Sequence, residues 1–191
     1  MKKRAYIIHG WDGYPEEGWF PWAKIELEKQ GFAVEIPSMP HPERPTIDDW
    51  VGQLAKLVGE PDEQTYLIGH SMGCQTILRY LASLNGQKVG GAVLVAGFFE
   101  LVPLEKEEEK AIVKPWLETP IDFAKVKAAT SNITVILSDN DEWVPLERNV
   151  ELFKKYLNPI IVTEHAKGHY SGSSGIKELP VVLKATIEYA S

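Results

Sequence analysis

The sequence predicts an α/β protein built on a mainly parallel, six-stranded sheet with helices on both faces, a three-layer α/β/α sandwich. Two observations carry this expectation. Strand-sized apolar runs alternate along the chain with helical patterns, the signature of right-handed βαβ crossovers. The 191 residues, 44% of them hydrophobic and 25% charged, suit one domain spanning residues 1–191 with a buried core.

The first run, Ala5 to Ile8, reads as a buried strand, and His9-Gly10-Trp11 follows at once. A helical stretch then leads to the second run, Ala33 to Ile36, and to the stiff loop Pro37-Ser38-Met39-Pro40-His41-Pro42-Glu43-Arg44-Pro45, which suits an ordered wall. The third run, Thr65 to Ile68, enters Gly69-His70-Ser71-Met72-Gly73, and a helical pattern from Cys74 to Leu81 leaves it. Ala92 to Val95 forms the fourth run. Residues 98–131 hold Phe98, Phe99, Pro103, Pro115, Trp116 and Pro120 with a short charged helix, and read as a small cap-like insertion. The fifth run, Thr134 to Leu137, ends in Ser138-Asp139-Asn140-Asp141-Glu142-Trp143-Val144-Pro145. The sixth, Ile160 to Val162, precedes Lys167-Gly168-His169-Tyr170.

The chemistry concentrates in the loops after these strands, where open α/β sheets bind ligands. G-x-S-x-G between a strand and a helix is a nucleophile elbow: a serine on so sharp a turn needs neighbours without side chains, here Gly69 and Gly73. Ser71 is the expected nucleophile, and the Met72 N–H an expected donor to an oxyanion. A helix-capping role is the plainer alternative for Ser71. A serine hydroxyl needs a histidine base and an acid to orient it, and the pattern resembles folds that carry such an elbow, in which the chain order is serine, then acid, then histidine. His165 and His169 follow Ser71; His169 is the expected base, because Gly168 lets its loop turn tightly, whereas His165 lies nearer the strand end. Asp141 in D-x-x-V-P is the expected acid and Asp139 its rival. The His9-Gly10-Trp11 loop would give a second oxyanion donor, the Trp11 N–H, with His9 shaping the loop. Phe98, Phe99, Trp116 and Trp143, with Trp11 and Trp19, are candidates to line an apolar mouth for an acyl chain or aromatic group.

Composition narrows the partners. A formal net charge of −7 and the absence of a basic stripe disfavour nucleic acid and anionic membranes, and no apolar run is long enough to span a bilayer. The single cysteine, Cys74, excludes an internal disulfide, and no long apolar leader precedes the first strand, so a cytoplasmic location is expected. With no dense ligand cluster, phosphate loop or dinucleotide fingerprint, neither a metal nor a cofactor is expected.

These residues together resemble the small serine hydrolases of the family that includes retinoblastoma-binding protein nine. Gly18-Trp19-Phe20-Pro21-Trp22 looks like that family's G-W-x-x-W helix and Pro37-Ser38-Met39-Pro40 like its M-P loop, while Pro115-Trp116, Asp122-Phe123, the acid loop and Gly168-His169 continue the match. Glu142 stands where a proline commonly follows the family's acid. The resemblance implies a minimal α/β-hydrolase fold lacking the first two antiparallel strands, a triad on Ser71, Asp141 and His169, and esterase- or amidase-like activity on a small acyl substrate. The family's protein-binding name suggests the alternative of an interaction module with slow or vestigial catalysis and a protein partner.

Overall fold

The computed structural model describes residues 2–191. Its strands are β1 (Arg4–Ile8), β2 (Ala33–Glu35), β3 (Thr65–His70), β4 (Gly91–Val95), β5 (Ile133–Ser138) and β6 (Ile160–Glu164). Its helices are α1 (Phe20–Lys29), α2 (Ile47–Val58), α3 (Met72–Ser83), α4 (Glu107–Glu118), α5 (Phe123–Ala129), α6 (Leu146–Tyr156) and α7 (Pro180–Tyr189). The strands form one sheet in the order β2-β1-β3-β4-β5-β6, and every pairing in it is parallel.

Alternate strand residues feed two cores. Ala5, Ile7, Ile68, Val93 and Val95 pack with Phe20, Ala23 and Leu27 of α1 and Val182 of α7. Ile8, Leu67, Leu94, Val135 and Leu137 pack on the other face with Trp50 of α2, Ile77 of α3, Val126 of α5 and Phe153 of α6. Strands buried on both faces explain why they read as continuous apolar runs.

Three strands run further than their apolar cores suggest. β3 continues through Gly69 to His70, because the ladder to β4 persists to His70 opposite Val95. β5 and β6 continue to Ser138 and Glu164, which face each other at the end of their ladder. Backbone pairing, not side-chain polarity, sets these ends. Within residues 98–131, α4 and α5 both fall in the crossover between β4 and β5, and α5 packs against α3.

The topology fixes where a site can form. From β1 the chain steps one way to β2, then crosses to β3 on the other side. The loops leaving β1 and β3 therefore diverge and open a crevice at the strand ends. Gly10 and Ser71 lie in those two loops. No helix among the described residues is long and apolar enough to cross a membrane.

Candidate active site

β3 ends at His70 and α3 starts at Met72, so Ser71 alone makes the turn, with φ 52° and ψ −117°. A serine with positive φ is strained by about 1–3 kcal/mol and must be held by its surroundings. The glycines show how. A Cβ on Gly73 would lie 2.2 Å from the Ile8 carbonyl oxygen, and one on Gly69 would lie 2.8 Å from the Cys74 nitrogen. Strand, turn and helix are thus in contact through bare backbone, and the Ser71 N–H is anchored to the Val95 carbonyl at 2.9 Å. The Ser71 side chain makes no capping bond to α3.

It is bonded instead to His169. Ser71 Oγ lies 2.9 Å from His169 Nε2, and His169 Nδ1 lies 2.8 and 3.0 Å from the two carboxylate oxygens of Asp141. A carboxylate only accepts, so Nδ1 carries the proton and Nε2 presents a lone pair to the Ser71 hydroxyl. The Asp141 side chain is 2% exposed and that of His169 14%. Asp141 Oδ1 also accepts the N–H groups of Trp143 and Val144, at 2.9 and 3.1 Å, so the D-x-x-V-P turn holds the carboxylate still.

The rivals form a second pair outside the site. His165 Nδ1 is 2.6 Å from Asp139 Oδ2, but its side chain is 90% exposed. Asp139 accepts the Ala166 N–H at 2.9 Å, and these two contacts hold its carboxyl below the usual aspartate range. The neighbouring residues work alike: Ser138 Oγ accepts the Lys167 N–H at 3.0 Å and Asn140 Oδ1 the Gly168 N–H at 2.8 Å. Four consecutive residues at the end of β5 and just beyond it, Ser138 to Asp141, therefore grip the loop from His165 to His169. Sequence reasoning weighed Asp139 only as an acid, and nothing in the local pattern marks Ser138 or Asn140 as clamps.

His9 is buried and accepts the Met39 N–H at Nε2, 3.0 Å away, while Nδ1–H donates to the Gly10 carbonyl at 2.8 Å. It joins the loop after β1 to the proline-rich loop, and burial lowers its pKa. Among the described residues, the N–H groups of Trp11 and Met72 make no hydrogen bond to the protein. Both residues line the cavity that holds Ser71.

That cavity encloses about 290 Å³ between Ser71, His169 and walls that include Phe98, Leu101, Leu104, Val113 and Trp143. Phe98 and Trp143 thus line the cavity beside Ser71. Phe99 and Trp116 do not. Phe99 packs against Phe123, Phe153 and Tyr156. Trp116 is buried edge-on to Trp50, with its indole N–H on the Pro45 carbonyl. Trp19 is buried beneath the site and donates to the Tyr170 carbonyl at 3.1 Å. An aromatic residue is as well used in a core as in a mouth, and composition does not say which way it faces. Leu101, Leu104 and Val113, which complete the wall, carry no periodic signal distinguishing them from core. Among the described residues, no group of three or more His, Cys, Asp or Glu side chains is placed to hold a metal ion.

The model of a family described as serine hydrolase matches residues 5–187. The chain belongs to the serine hydrolase family. Within it, the YdeN protein of Bacillus subtilis is 32% identical over 192 residues, covering 100% of this chain and 98% of the relative. Serine hydrolase RBBP9 of Rattus norvegicus is 26% identical over 187 residues, covering 96% and 95%. The crystal structure of the B. subtilis ydeN product superposes with a TM-score of 0.88 at 30% identity, covering 98% of both chains. The fold is shared more widely: Est1E from Butyrivibrio proteoclasticus gives a TM-score of 0.74 at 20% identity, over 99% of this chain and 87% of its own. The six-stranded sheet is thus an α/β-hydrolase-like core.

Proposed function

We propose that this serine hydrolase cleaves a small carboxylic ester, or a related thioester or amide, through an acyl-enzyme on Ser71. The hydrogen-bonded series Ser71, His169, Asp141 at the floor of an apolar cavity carries the reading. His169 Nε2 takes the Ser71 proton as Oγ attacks the carbonyl carbon. Asp141 keeps the Nδ1–H tautomer and stabilises the imidazolium. The N–H groups of Trp11 and Met72 meet the tetrahedral oxyanion, and their lack of protein acceptors supports that role. His169 then returns the proton to the leaving group. Water, deprotonated by the same nitrogen, releases the acid and restores Ser71.

The cavity supports a substrate class. Its walls are mainly aliphatic and aromatic, and apart from His169 its ionisable lining residues are the carboxylic acids Asp12 and Glu109; no Lys or Arg among the described residues lines it. An uncharged acyl or aryl group of modest size fits this chemistry. Hydrolysis of p-nitrophenyl esters from acetate to octanoate checks it. Turnover that peaks at a short or medium chain and vanishes in Ser71→Ala is the expected outcome; turnover unchanged in Ser71→Ala would refute the reading.

A further inference from the structure

We propose that His70, the second residue of the Gly69-to-Gly73 turn, is a positioning residue that fixes His169 relative to Ser71 through a hydrogen bond to the His169 main chain. The proposal rests on the reading of Ser71 and His169 given above. His70 Nε2 lies 2.7 Å from the His169 carbonyl oxygen, and their ring centroids are 5.1 Å apart. A carbonyl only accepts, so Nε2 carries the hydrogen. The other nitrogen, Nδ1, is buried and has no hydrogen-bond partner among the described residues.

An unpartnered buried nitrogen is costly, and a structure that keeps one has a use for the remainder of the ring. Here the ring touches three loops. Covalently it is next to Ser71. Through Nε2 it holds the histidine loop. Its Nδ1 edge faces the loop after β1, since a Cβ on Gly10 would lie 3.2 Å from that nitrogen and 3.1 Å from Ser71 Cβ. Phe20 of α1 closes the far side, with ring centroids 5.9 Å apart.

The mechanical consequence follows from connectivity. Asp141 fixes the direction of the His169 ring but not the height of its backbone. The Ser138-to-Asn140 clamps hold Lys167, Ala166 and Gly168, and Trp19 holds Tyr170. Among the described residues, the hydrogen bond to the His169 carbonyl comes from His70 alone, and His70 is the residue next to Ser71. It does so as a neutral ring, because burial, reinforced by His169 nearby, lowers its pKa to about 3. No charge is added beside the imidazolium that forms during turnover.

The test compares His70→Gln, whose amide N–H₂ reaches the place of Nε2, with His70→Asn, which falls short, and with His70→Phe, which keeps a ring and loses the donor. Turnover of p-nitrophenyl butyrate is referred to the sites titrated by a fluorophosphonate. His169 is followed by ¹⁵N-imidazole NMR through its Nδ1–H proton on Asp141. Phe and Asn are expected to lower kcat about ten- to a hundred-fold, as a misplacement of order 1 Å does, with KM within about twofold. They should also broaden the Nδ1–H signal, and Gln should restore most of both. A merely structural His70 would change the folded fraction but neither kcat per titrated site nor the His169 signal. Wild-type kcat per site in Phe, or Gln no better than Asn, would overturn the proposal. If Phe fails to fold, the Gln and Asn pair decides. A wild type that neither turns over ester nor labels would instead refute the hydrolytic reading, and the NMR comparison, which needs no turnover, would still decide the role of His70.

Discussion

At Ser71 the backbone adopts a conformation that serine takes only under constraint, and Gly73 shows what supplies it. A methyl group there would meet the Ile8 carbonyl at 2.2 Å, a backbone atom that cannot turn aside. Gly73→Ala should therefore cost about 3 kcal/mol or more, lowering Tm by about 6–12 °C in a chain of this size; a thermal melt within 2 °C or so of wild type would contradict it. The two aspartates after β5 separate just as sharply. Asp141→Asn should reduce kcat by about ten-thousand-fold, the loss known for the orienting aspartate of a serine protease. Asp139→Asn keeps an acceptor for the Ala166 N–H and should stay within about tenfold of wild type; steady-state kinetics of the two variants check the assignment. The buried histidines give stability a pH dependence. Free histidine titrates at 6.5, whereas folded His70 does so at about 3. Above 6.5 both states are neutral. Below it the unfolded chain takes up a proton that the folded protein refuses, so stability falls as the pH drops from 6.5 towards about 3. His9, lowered in the same direction by burial, adds to the slope. Urea denaturation between pH 7 and pH 4 should show this loss, and His70→Gln should flatten it; equal slopes in the two proteins would contradict it.

Among the elements, what the sequence reveals is what short-range geometry dictates. The turn at Ser71 is legible because strand, turn and helix touch within five residues, and only glycine fits at two of them. D-x-x-V-P is legible for the same reason: the Asp141 carboxylate bonds the N–H groups two and three residues on. The apolar runs place all six strands, since each is buried on both faces or at the sheet's edge beside one that is. Long-range facts are not legible. Phe98 and Phe99 are neighbours of one chemical type, yet one lines the cavity and the other joins Phe123, Phe153 and Tyr156. Which faces the cavity depends on Asn149 of α6, whose buried amide accepts the N–H groups of Phe99 and Glu100 and donates to the Glu100 carbonyl from 50 positions away. The grip of Ser138, Asp139 and Asn140 on the histidine loop is hidden likewise, because it joins the ends of two strands that are adjacent in the sheet but far apart in sequence.

Across the whole molecule, the strand order places the His9-Gly10-Trp11 loop and the Ser71 turn on the two sides of one divergence in the sheet, and Glu109 and Val113 of α4 line the cavity between them. Charge acts at this scale too. The chain carries a net charge of −7, and Asp12 and Glu109 line the cavity. An acyl group bearing a carboxylate meets like charge on approach and at the site. The mono-p-nitrophenyl ester of succinate should therefore have a kcat/KM roughly tenfold or more below that of p-nitrophenyl butyrate, and added salt should narrow the gap. Equal values at low salt would contradict it. The most direct test of the whole reading is intact-protein mass spectrometry after exposure to a fluorophosphonate, on wild type and on a folded Ser71→Ala variant. A single phosphonyl adduct on wild type, mapped to Ser71 and absent from the variant, is the predicted result; an unlabelled wild type, or equal labelling of both, would contradict Ser71 as the nucleophile.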